Sequence, residues 1–169
     1  MLLLLLSQPH YLVPDSAGHV AWVRSLVWDA DFDFANDYER LGMIERETSI
    51  EFGATTAAGR RGNPFGIGTG LVWLPFVLAQ ALLSRVASAL GADVTTDGFG
   101  TATLLAARLG TWTCVIVAGL LLAASLHLLL PHADRKARRT AVVAALLGTP
   151  LVYYVVQMPT YSHAVATFM

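Results

Sequence analysis

The chain has 169 residues, of which 55% are hydrophobic and only 14% are charged, and its formal net charge is −1 at pH 7. This composition is typical of an integral membrane protein. It argues against nucleic acid as a partner, because binding a phosphate backbone requires clustered positive charge. The single cysteine, Cys114, excludes an internal disulfide framework and a cysteine-based zinc site.

The two ends of the chain carry short apolar stretches. Residues 1–6 are too few to cross a membrane, which requires about 20 mostly apolar residues. We interpret them as the end of a truncated first transmembrane helix, and residues 160–169 as the start of a truncated further helix. The sequence therefore indicates a fragment of a longer membrane protein or a truncated gene product.

Residues 7–103 are strongly acidic. They hold eleven of the twelve acidic residues and six of the eleven basic residues, which gives a formal charge of −5. We therefore predict that they form an extracytoplasmic loop, although acidic residues by themselves contribute little to membrane orientation. Within this loop, apolar residues at helical spacing predict a helix over 16–28, with Asp15 or Ser16 as its N-cap.

Three aspartates follow this predicted helix. Asp29, Asp31 and Asp33 alternate with Ala30, Phe32 and Phe34. Because side chains alternate across an extended backbone, a strand-like conformation would place the three carboxylates on one face.

Residues 67–90 are apolar enough to cross a membrane, and they leave two topologies open. In the first, they form a surface or re-entrant helix within the extracytoplasmic loop. In the second, they span the membrane and residues 7–66 lie in the cytoplasm. We favour the first topology, since it places the acidic section outside.

Two further apolar runs flank a short basic loop. Residues 104–130 and 140–157 are each near the length of a transmembrane helix, and residues 131–139 carry four basic residues against one acidic residue. Backbone groups in lipid must be paired within their own segment, so each run is predicted to be helical. The positive-inside tendency places the basic loop in the cytoplasm. A soluble helical hairpin is the alternative, but the remaining chain is too short to bury two such helices.

Several local sequences occur in a characteristic order. An acid and an acidic-aromatic stretch are followed by Asn63-Pro-Phe-Gly-Ile-Gly-Thr-Gly-Leu-Val-Trp-Leu-Pro75, then by Ala106-Ala-Arg-Leu109, the basic loop and Ser162-His163-Ala164. This order resembles the GT-C class of membrane glycosyltransferases, which includes protein mannosyltransferases and aminoarabinose transferases. The resemblance covers nearly the whole chain and implies that the chain is an N-terminal fragment of such an enzyme. It implies an all-α membrane protein with transmembrane helices and a long extracytoplasmic loop that carries membrane-surface helices, in a multi-pass protein of the cell membrane.

The resemblance also implies a reaction: transfer of a sugar from a polyprenyl-phosphate donor to an acceptor on the extracytoplasmic side. Asp15 matches the first-loop acid of the class, which acts as general base on the acceptor hydroxyl or helps to bind a metal. Capping of the first helix is the alternative role for Asp15. Asp31 and Asp33 match a modified Asp-x-Asp element and would bind Mg²⁺, Mn²⁺ or Ca²⁺, with a solvated acidic turn as the alternative.

Basic and aromatic residues supply further candidates. Arg108 and Arg61 are candidates for the donor phosphate, because guanidinium groups match phosphate oxygens. The alternatives are that Arg108 reaches lipid headgroups and that Arg61 is a loop charge. His19 lies four residues after Asp15, on the same helix face, although a surface histidine is the commoner outcome. His163 is expected to face the same compartment, and its role stays open.

The tyrosines near the end of the chain are expected to have a structural role. Tyr153 and Tyr154 are typical of interface-belt or packing residues rather than of sugar-stacking platforms.

Two other functions stay open beside the glycosyltransferase. The chain could belong to a non-catalytic membrane protein or be an inactive truncated remnant, and the isolated chain is expected to be inactive. It could also be a transporter segment, which would require charge near the middle of the membrane. Membrane lipid is a partner in each case, and the sequence does not indicate the oligomeric state, the sugar or the acceptor.

We predict that the acidic section and the basic loop lie on opposite sides of the membrane. Single cysteines at Phe32 and Lys136, in a Cys114→Ser background, should react with a membrane-impermeant maleimide from opposite sides. Phe32→Cys should be labelled in intact cells, and Lys136→Cys only after permeabilisation. Labelling of both positions from one side would overturn this topology.

Overall fold

The computed structural model describes residues 13–43 and 54–167. Within these residues the chain is mostly helical and forms no β-strand, apart from one isolated antiparallel bridge between Thr55 and Arg61. The predicted all-helical character is therefore confirmed. The truncated first helix predicted over residues 1–6 lies outside the described residues, as do the last two positions of the chain.

The described part of the chain contains seven α-helices, and the first of them continues into a short π-helix. In chain order they are α1 (Pro14–Arg24) with the π-helical turn Ser25–Asp29, α2 (Ala35–Arg40), α3 (Gly68–Ala89), α4 (Thr101–Leu129), α5 (Arg135–Leu147), α6 (Leu151–Val156) and α7 (Ser162–Ala166).

Helix α1 begins at a proline. Pro14 stands in the first helical position, where its missing N–H costs nothing, and Val13 is the N-cap residue with no side-chain hydrogen bond. The prediction that Asp15 or Ser16 caps this helix is therefore wrong. The helix and its π-helical turn end at Ala30, whose positive φ of 55° turns the chain away.

Two helices are long and apolar enough to cross a membrane, judged by length and composition. Helix α3 has 22 residues with a mean hydropathy of 1.6 in its most apolar part, and α4 has 29 residues with a value of 2.1. Their bounds lie within three residues of the apolar runs at 67–90 and 104–130. The choice between a spanning and a surface position for α3 stays a prediction.

The hydrophobic core surrounds the first half of α4. Trp73 on α3 is fully buried there, and its indole N–H donates to the Thr111 hydroxyl at 2.9 Å. The core is made of buried residues from four helices: Val20, Val23, Trp73, Val77, Leu104, Ala106, Ala107 and Val165. Beyond Thr113 most side chains of α4 are exposed or half-buried. Helices α1, α3 and α7 therefore pack around one end of α4, and its other end extends beyond them.

The apolar run at 140–157 is not one helix. The structure divides it into α5 and α6, with a break at residues 148–150. Pro150 explains the break, because proline has no N–H to donate and its ring clashes with the preceding turn. Helix α5 also begins earlier than predicted, at Arg135, because the Asp134 carboxylate accepts from the backbone N–H groups of Lys136 and Ala137. The basic residues predicted in a loop therefore occupy the first turns of a helix.

The turn between α4 and α5 is closed by one guanidinium. Nη1 of Arg138 donates to the carbonyl oxygens of Leu130 and Ala133, both at 2.8 Å, and to that of Pro131 at 3.3 Å. These carbonyls follow the end of α4, where a positive charge is favourable. The Arg138 side chain therefore stabilises the turn between α4 and α5.

A buried arginine connects α1 to the acidic residues that follow it. Arg24 is 7% exposed, and its Nη1 donates to the carboxylates of Asp29 and, at 3.3 Å, of Asp37. Its Nε donates to the backbone oxygen of Asp97 at 3.3 Å, in the turn before α4. This guanidinium therefore ties the end of α1 to α2 and to that turn.

An aromatic ring adds to the same contact. The guanidinium carbons of Arg24 and Arg40 lie 4.3 and 4.5 Å from the centre of the Phe99 ring. Such contacts contribute about 0.5–1 kcal/mol at exposed sites. Arg40 also donates to the Asp97 carboxylate at 2.7 Å. Two cations and one ring thus fix the acidic section against the start of α4.

Asp37 is the least satisfied member of this group. It is completely buried, and its Oδ2 has no hydrogen-bond partner among the described residues. Burial raises the pKa of Asp37 to about 7, and the facing Arg24 opposes this shift while the carboxylates of Asp29 and Asp31 add to it. The buried carboxyl therefore loses its proton only near neutral pH.

We predict that Asp37 makes the stability of the fold depend on pH. The folded chain holds this proton more tightly than the unfolded chain, so the free energy of unfolding should fall as pH rises from 3.8 to about 7. Asp37→Asn should remove this trend. The measurement is the thermal midpoint of the detergent-solubilised chain at several pH values between 4.5 and 7.5.

The control for this prediction is Asp93→Asn, because Asp93 is exposed and should leave the wild-type trend unchanged. His19 acts in the opposite direction: its pKa is lowered by burial, so its contribution is lost as pH falls below 6.5. Comparison of Asp37→Asn with the wild type cancels this effect. Equal pH dependence in the two proteins would contradict the prediction.

Candidate functional site

Asp15 lies in the first turn of α1 and is not used as a cap. Its carboxylate is half-buried and accepts no hydrogen bond from another described residue. The neighbouring Ser16 is buried, and its hydroxyl is hydrogen-bonded to that of Thr160 at 2.9 Å. This bond holds the start of α1 against the segment between α6 and α7.

The same segment is bonded to α4. The Thr111 hydroxyl is fully buried and donates to the backbone oxygen of Pro159 at 2.7 Å. Thr111 and Ser16 thus bind two consecutive residues, Pro159 and Thr160 respectively, which we call the 159–160 corner. Arg108 lies one turn before Thr111 on α4, so the corner connects the start of α1 to the part of α4 that carries Arg108.

His19 lies one turn after Asp15 and is buried, not at the surface. It is 5% exposed, and its ring packs against those of Phe65 and Trp73, with centroid distances of 5.2 and 6.3 Å. Its Nδ1 has no hydrogen-bond partner among the described residues. Burial lowers the pKa of His19, and His163 adds to this shift while the Asp15 carboxylate and the Gly66 backbone oppose it. A neutral imidazole is therefore favoured one turn from the Asp15 carboxylate on α1.

His163 belongs to a group of aromatic rings. Its ring centre lies 4.5 Å from that of Tyr154 and 5.9 Å from that of Tyr161, with the Tyr161 and His163 planes only 17° apart. Tyr154 and Tyr161 are 6.0 Å apart, and Tyr153 lies 5.4 Å from Tyr154. We call these four residues the tyrosine–histidine patch.

This patch lies beside Asp15. Tyr161 directly follows Thr160, which is bonded to Ser16. Burial raises the pKa of Tyr161, and the Asp15 carboxylate adds to this effect. His163 and Tyr153 are exposed, whereas Tyr154 and Tyr161 are half-buried. The structure therefore brings three predicted residues, Asp15, His19 and His163, to one place.

The three aspartates after α1 do not share an extended face, so that expectation is wrong. Asp29 ends the π-helical turn and pairs with Arg24. Oδ1 of Asp31 accepts from the Ser25 hydroxyl and from the backbone N–H of Asp33. Oδ1 of Asp33 accepts from the backbone N–H groups of Ala35 and Arg61. These carboxylates stabilise turns, because a short acidic side chain satisfies the backbone N–H groups near it.

No three His, Cys, Asp or Glu side chains within residues 13–43 and 54–167 come together in a way that could hold a metal ion. Oδ2 of Asp31 and Oδ2 of Asp33 accept no hydrogen bond from the described residues. A divalent cation at Asp31 and Asp33 stays a prediction.

The two predicted phosphate-binding arginines lie in different surroundings. Arg61 is half-buried next to Asp33, since its backbone N–H donates to that carboxylate. Arg108 is 6% exposed, and its Nε lacks a hydrogen-bond partner among the described residues. A buried arginine without an anionic partner is costly. Arg108 therefore marks a position that a negatively charged group would stabilise.

The predicted residues divide into two groups. Asp15 lies at one end of α1, whereas Asp31 is bonded to Ser25 beyond the other end. The helical rise places Asp15 and Ser25 roughly 15 Å apart. The predicted base and the predicted metal ligands are therefore at opposite ends of α1.

An open apolar cavity lies between α3 and α4. Its volume is about 450 Å³, and its walls include Phe76, Leu83, Val94, Leu105 and Leu109. The space stays open because four of the side chains that line it are small: Ala79, Ala87, Ala102 and Ala106. A hydrocarbon chain is the chemistry that such walls accept.

Sequence reasoning missed two groups of residues. The Arg24 cluster has a local signal, since an arginine between Val23 and Leu26 inside an apolar helical pattern needs a buried partner. The tyrosine–histidine patch had no such signal, because its grouping depends on the break at Pro150 and on the 159–160 corner.

Comparison with known proteins gives no match to a family model, to a curated protein or to a solved structure.

Proposed function

We propose that the chain is part of a multi-pass membrane glycosyltransferase of the GT-C type, which moves a sugar from a polyprenyl-phosphate donor to an acceptor on the extracytoplasmic side. The observation that carries this proposal is the 159–160 corner. It joins the start of α1, where the Asp15 carboxylate caps no helix, to α4 one turn from Arg108, a buried cation whose Nε has no hydrogen-bond partner among the described residues. Such a transfer requires a base and an anion-binding group.

Asp15 is the proposed general base. Its carboxylate takes the proton of the acceptor hydroxyl as the oxygen forms a bond to the anomeric carbon of the sugar. The bond from that carbon to the phosphate oxygen breaks, and the polyprenyl phosphate leaves with the electron pair. A base positioned within hydrogen-bond reach of the proton contributes roughly 10²- to 10⁴-fold to such a step.

His19 has a positioning role in this proposal. Its ring is buried one turn from Asp15 on α1, and burial lowers the pKa of His19, which favours the neutral imidazole. A neutral imidazole leaves the negative charge of Asp15 uncompensated, which keeps the carboxylate available to accept a proton.

Arg108 is the proposed partner of the donor phosphate. The buried Nε of Arg108 has no hydrogen-bond partner among the described residues, and a guanidinium can bind two phosphate oxygens at once. The proposed position of the prenyl chain of the donor is the cavity between α3 and α4, whose lining is mainly hydrocarbon. The backbone N–H of Arg61 donates to Asp33, so Arg61 is the weaker candidate for binding the donor phosphate.

A non-catalytic membrane protein is the second candidate function. The turns formed by Asp31 and Asp33 favour it, because carboxylates that stabilise backbone turns need no ligand. A transporter segment has less support, since Arg108 is buried near the end of α4 that packs against the other helices.

We predict that Asp15→Asn in the full-length enzyme lowers kcat for sugar transfer by about 10²- to 10⁴-fold, because an amide cannot accept the proton. The measurement is transfer of a radiolabelled sugar from a polyprenyl-phosphate donor in isolated membranes. The matched control is Asp93→Asn, an exposed aspartate in the same section of the chain. Wild-type transfer by Asp15→Asn would show that the base is a different group.

A further inference from the structure

The tyrosine–histidine patch combines two kinds of surface. Tyr154, Tyr161 and His163 present three rings whose centres are all within 6.0 Å of one another. Each ring has an apolar face and a polar edge, either a hydroxyl group or an imidazole nitrogen. Tyr153 extends this surface outward and is 49% exposed.

Two hydrogen bonds connect the patch to the start of α1 and to α4. The bond between Ser16 and Thr160 joins the residues next to Asp15 and next to Tyr161. The bond from Thr111 to Pro159 fixes the same corner to α4. A ligand that lies on the rings therefore has a defined position relative to the carboxylate.

A sugar ring matches this arrangement. One face of a pyranose carries C–H groups that pack on aromatic rings, and its rim carries hydroxyls that bond to carboxylate, phenol and imidazole groups. A hydrocarbon chain would leave these polar edges unpaired, which costs free energy.

The negative charge of Asp15 indicates whether the patch binds the donor or the acceptor. The donor carries a phosphate, and the nearby Asp15 carboxylate would repel it, whereas an uncharged sugar acceptor has no such penalty. The base must also reach the acceptor hydroxyl directly. The acceptor therefore belongs beside Asp15 and the donor phosphate belongs at Arg108.

We propose that the tyrosine–histidine patch binds a sugar ring of the acceptor and presents its hydroxyl to Asp15, so that the acceptor is a glycan. This inference rests on the proposed function for the role of Asp15, but the binding itself is measured without turnover.

The test is saturation-transfer NMR on the chain in nanodiscs with deuterated lipids. The probes are the methyl pyranosides of glucose, mannose, galactose and N-acetylglucosamine. At least one glycoside should receive saturation at its ring C–H protons, because these protons lie on the rings. Tyr154→Ala and Tyr161→Ala should reduce this signal at least 5-fold, and Tyr154→Phe should retain it.

Phe32→Ala is the matched control. Phe32 is an exposed aromatic residue, 54% accessible, beyond the far end of α1, so its removal should leave the signal unchanged. Thermal midpoints measured on each variant show that it is folded. The proposal is overturned if no glycoside receives saturation from the wild type, or if the signal survives both alanine variants.

A kinetic arm separates acceptor from donor and binding from catalysis. In the full-length enzyme, Tyr154→Ala should raise KM for a glycan acceptor about 10-fold and leave KM for the donor unchanged. An effect on the donor KM alone would overturn the assignment to the acceptor. Asp15→Asn should lose transfer but still show saturation of a glycoside, because the amide can hydrogen-bond to a sugar hydroxyl but cannot take its proton. Transfer by a wild type that binds no glycoside would overturn this inference and leave the proposed function standing.

Discussion

One buried hydroxyl group joins the parts of the chain on which the candidate site depends. The Thr111 side chain accepts from the indole of Trp73 and donates to the backbone oxygen of Pro159. It therefore links α3, α4 and the 159–160 corner in the middle of the core. An unpaired buried polar group costs about 1–3 kcal/mol, and loss of this hydroxyl would leave two such groups unpaired. The positions of Asp15 and of the tyrosine–histidine patch follow from it.

The acidic section is held by a second polar contact, at the opposite end of α1. Arg24 lies among three carboxyl-bearing residues and the ring of Phe99. The acids of this section therefore have a structural use, since they neutralise a buried guanidinium and stabilise turns. Their number does not by itself indicate a ligand. Among the described residues, Asp15 caps no helix and its carboxylate accepts no hydrogen bond, so it remains available for chemistry.

The sequence was sufficient for the long helices and insufficient for the site. Apolar runs of 20 residues or more have few alternatives to a helix, so α3 and α4 were predicted to within three residues. The run at 140–157 was predicted as one helix because hydropathy averages over Pro150, and one residue without an N–H is enough to divide it. The cap at the start of α1 was misplaced, since Pro14 already supplies a favourable first position.

The positions of single side chains depended on contacts distant in sequence. His19 was expected at the surface because a polar residue four positions after an acid usually faces water. It is buried because Phe65 and Trp73 close over it. Tyr154 was expected to be an interface-belt or packing residue and the role of His163 was left open, and the two meet because the chain turns back at the 159–160 corner. Such contacts between residues distant in sequence cannot be read from local sequence patterns.

The hydrogen bond between Ser16 and Thr160 closes a loop of 144 residues, whereas the bonds of Arg138 span eight residues or fewer. Closure of a long loop has to wait until both of its ends exist. During synthesis, the hairpin of α4 and α5 can therefore form as soon as it leaves the ribosome. Asp15 waits for more than a hundred further residues before it meets Tyr161, so the proposed acceptor site forms after the hairpin of α4 and α5.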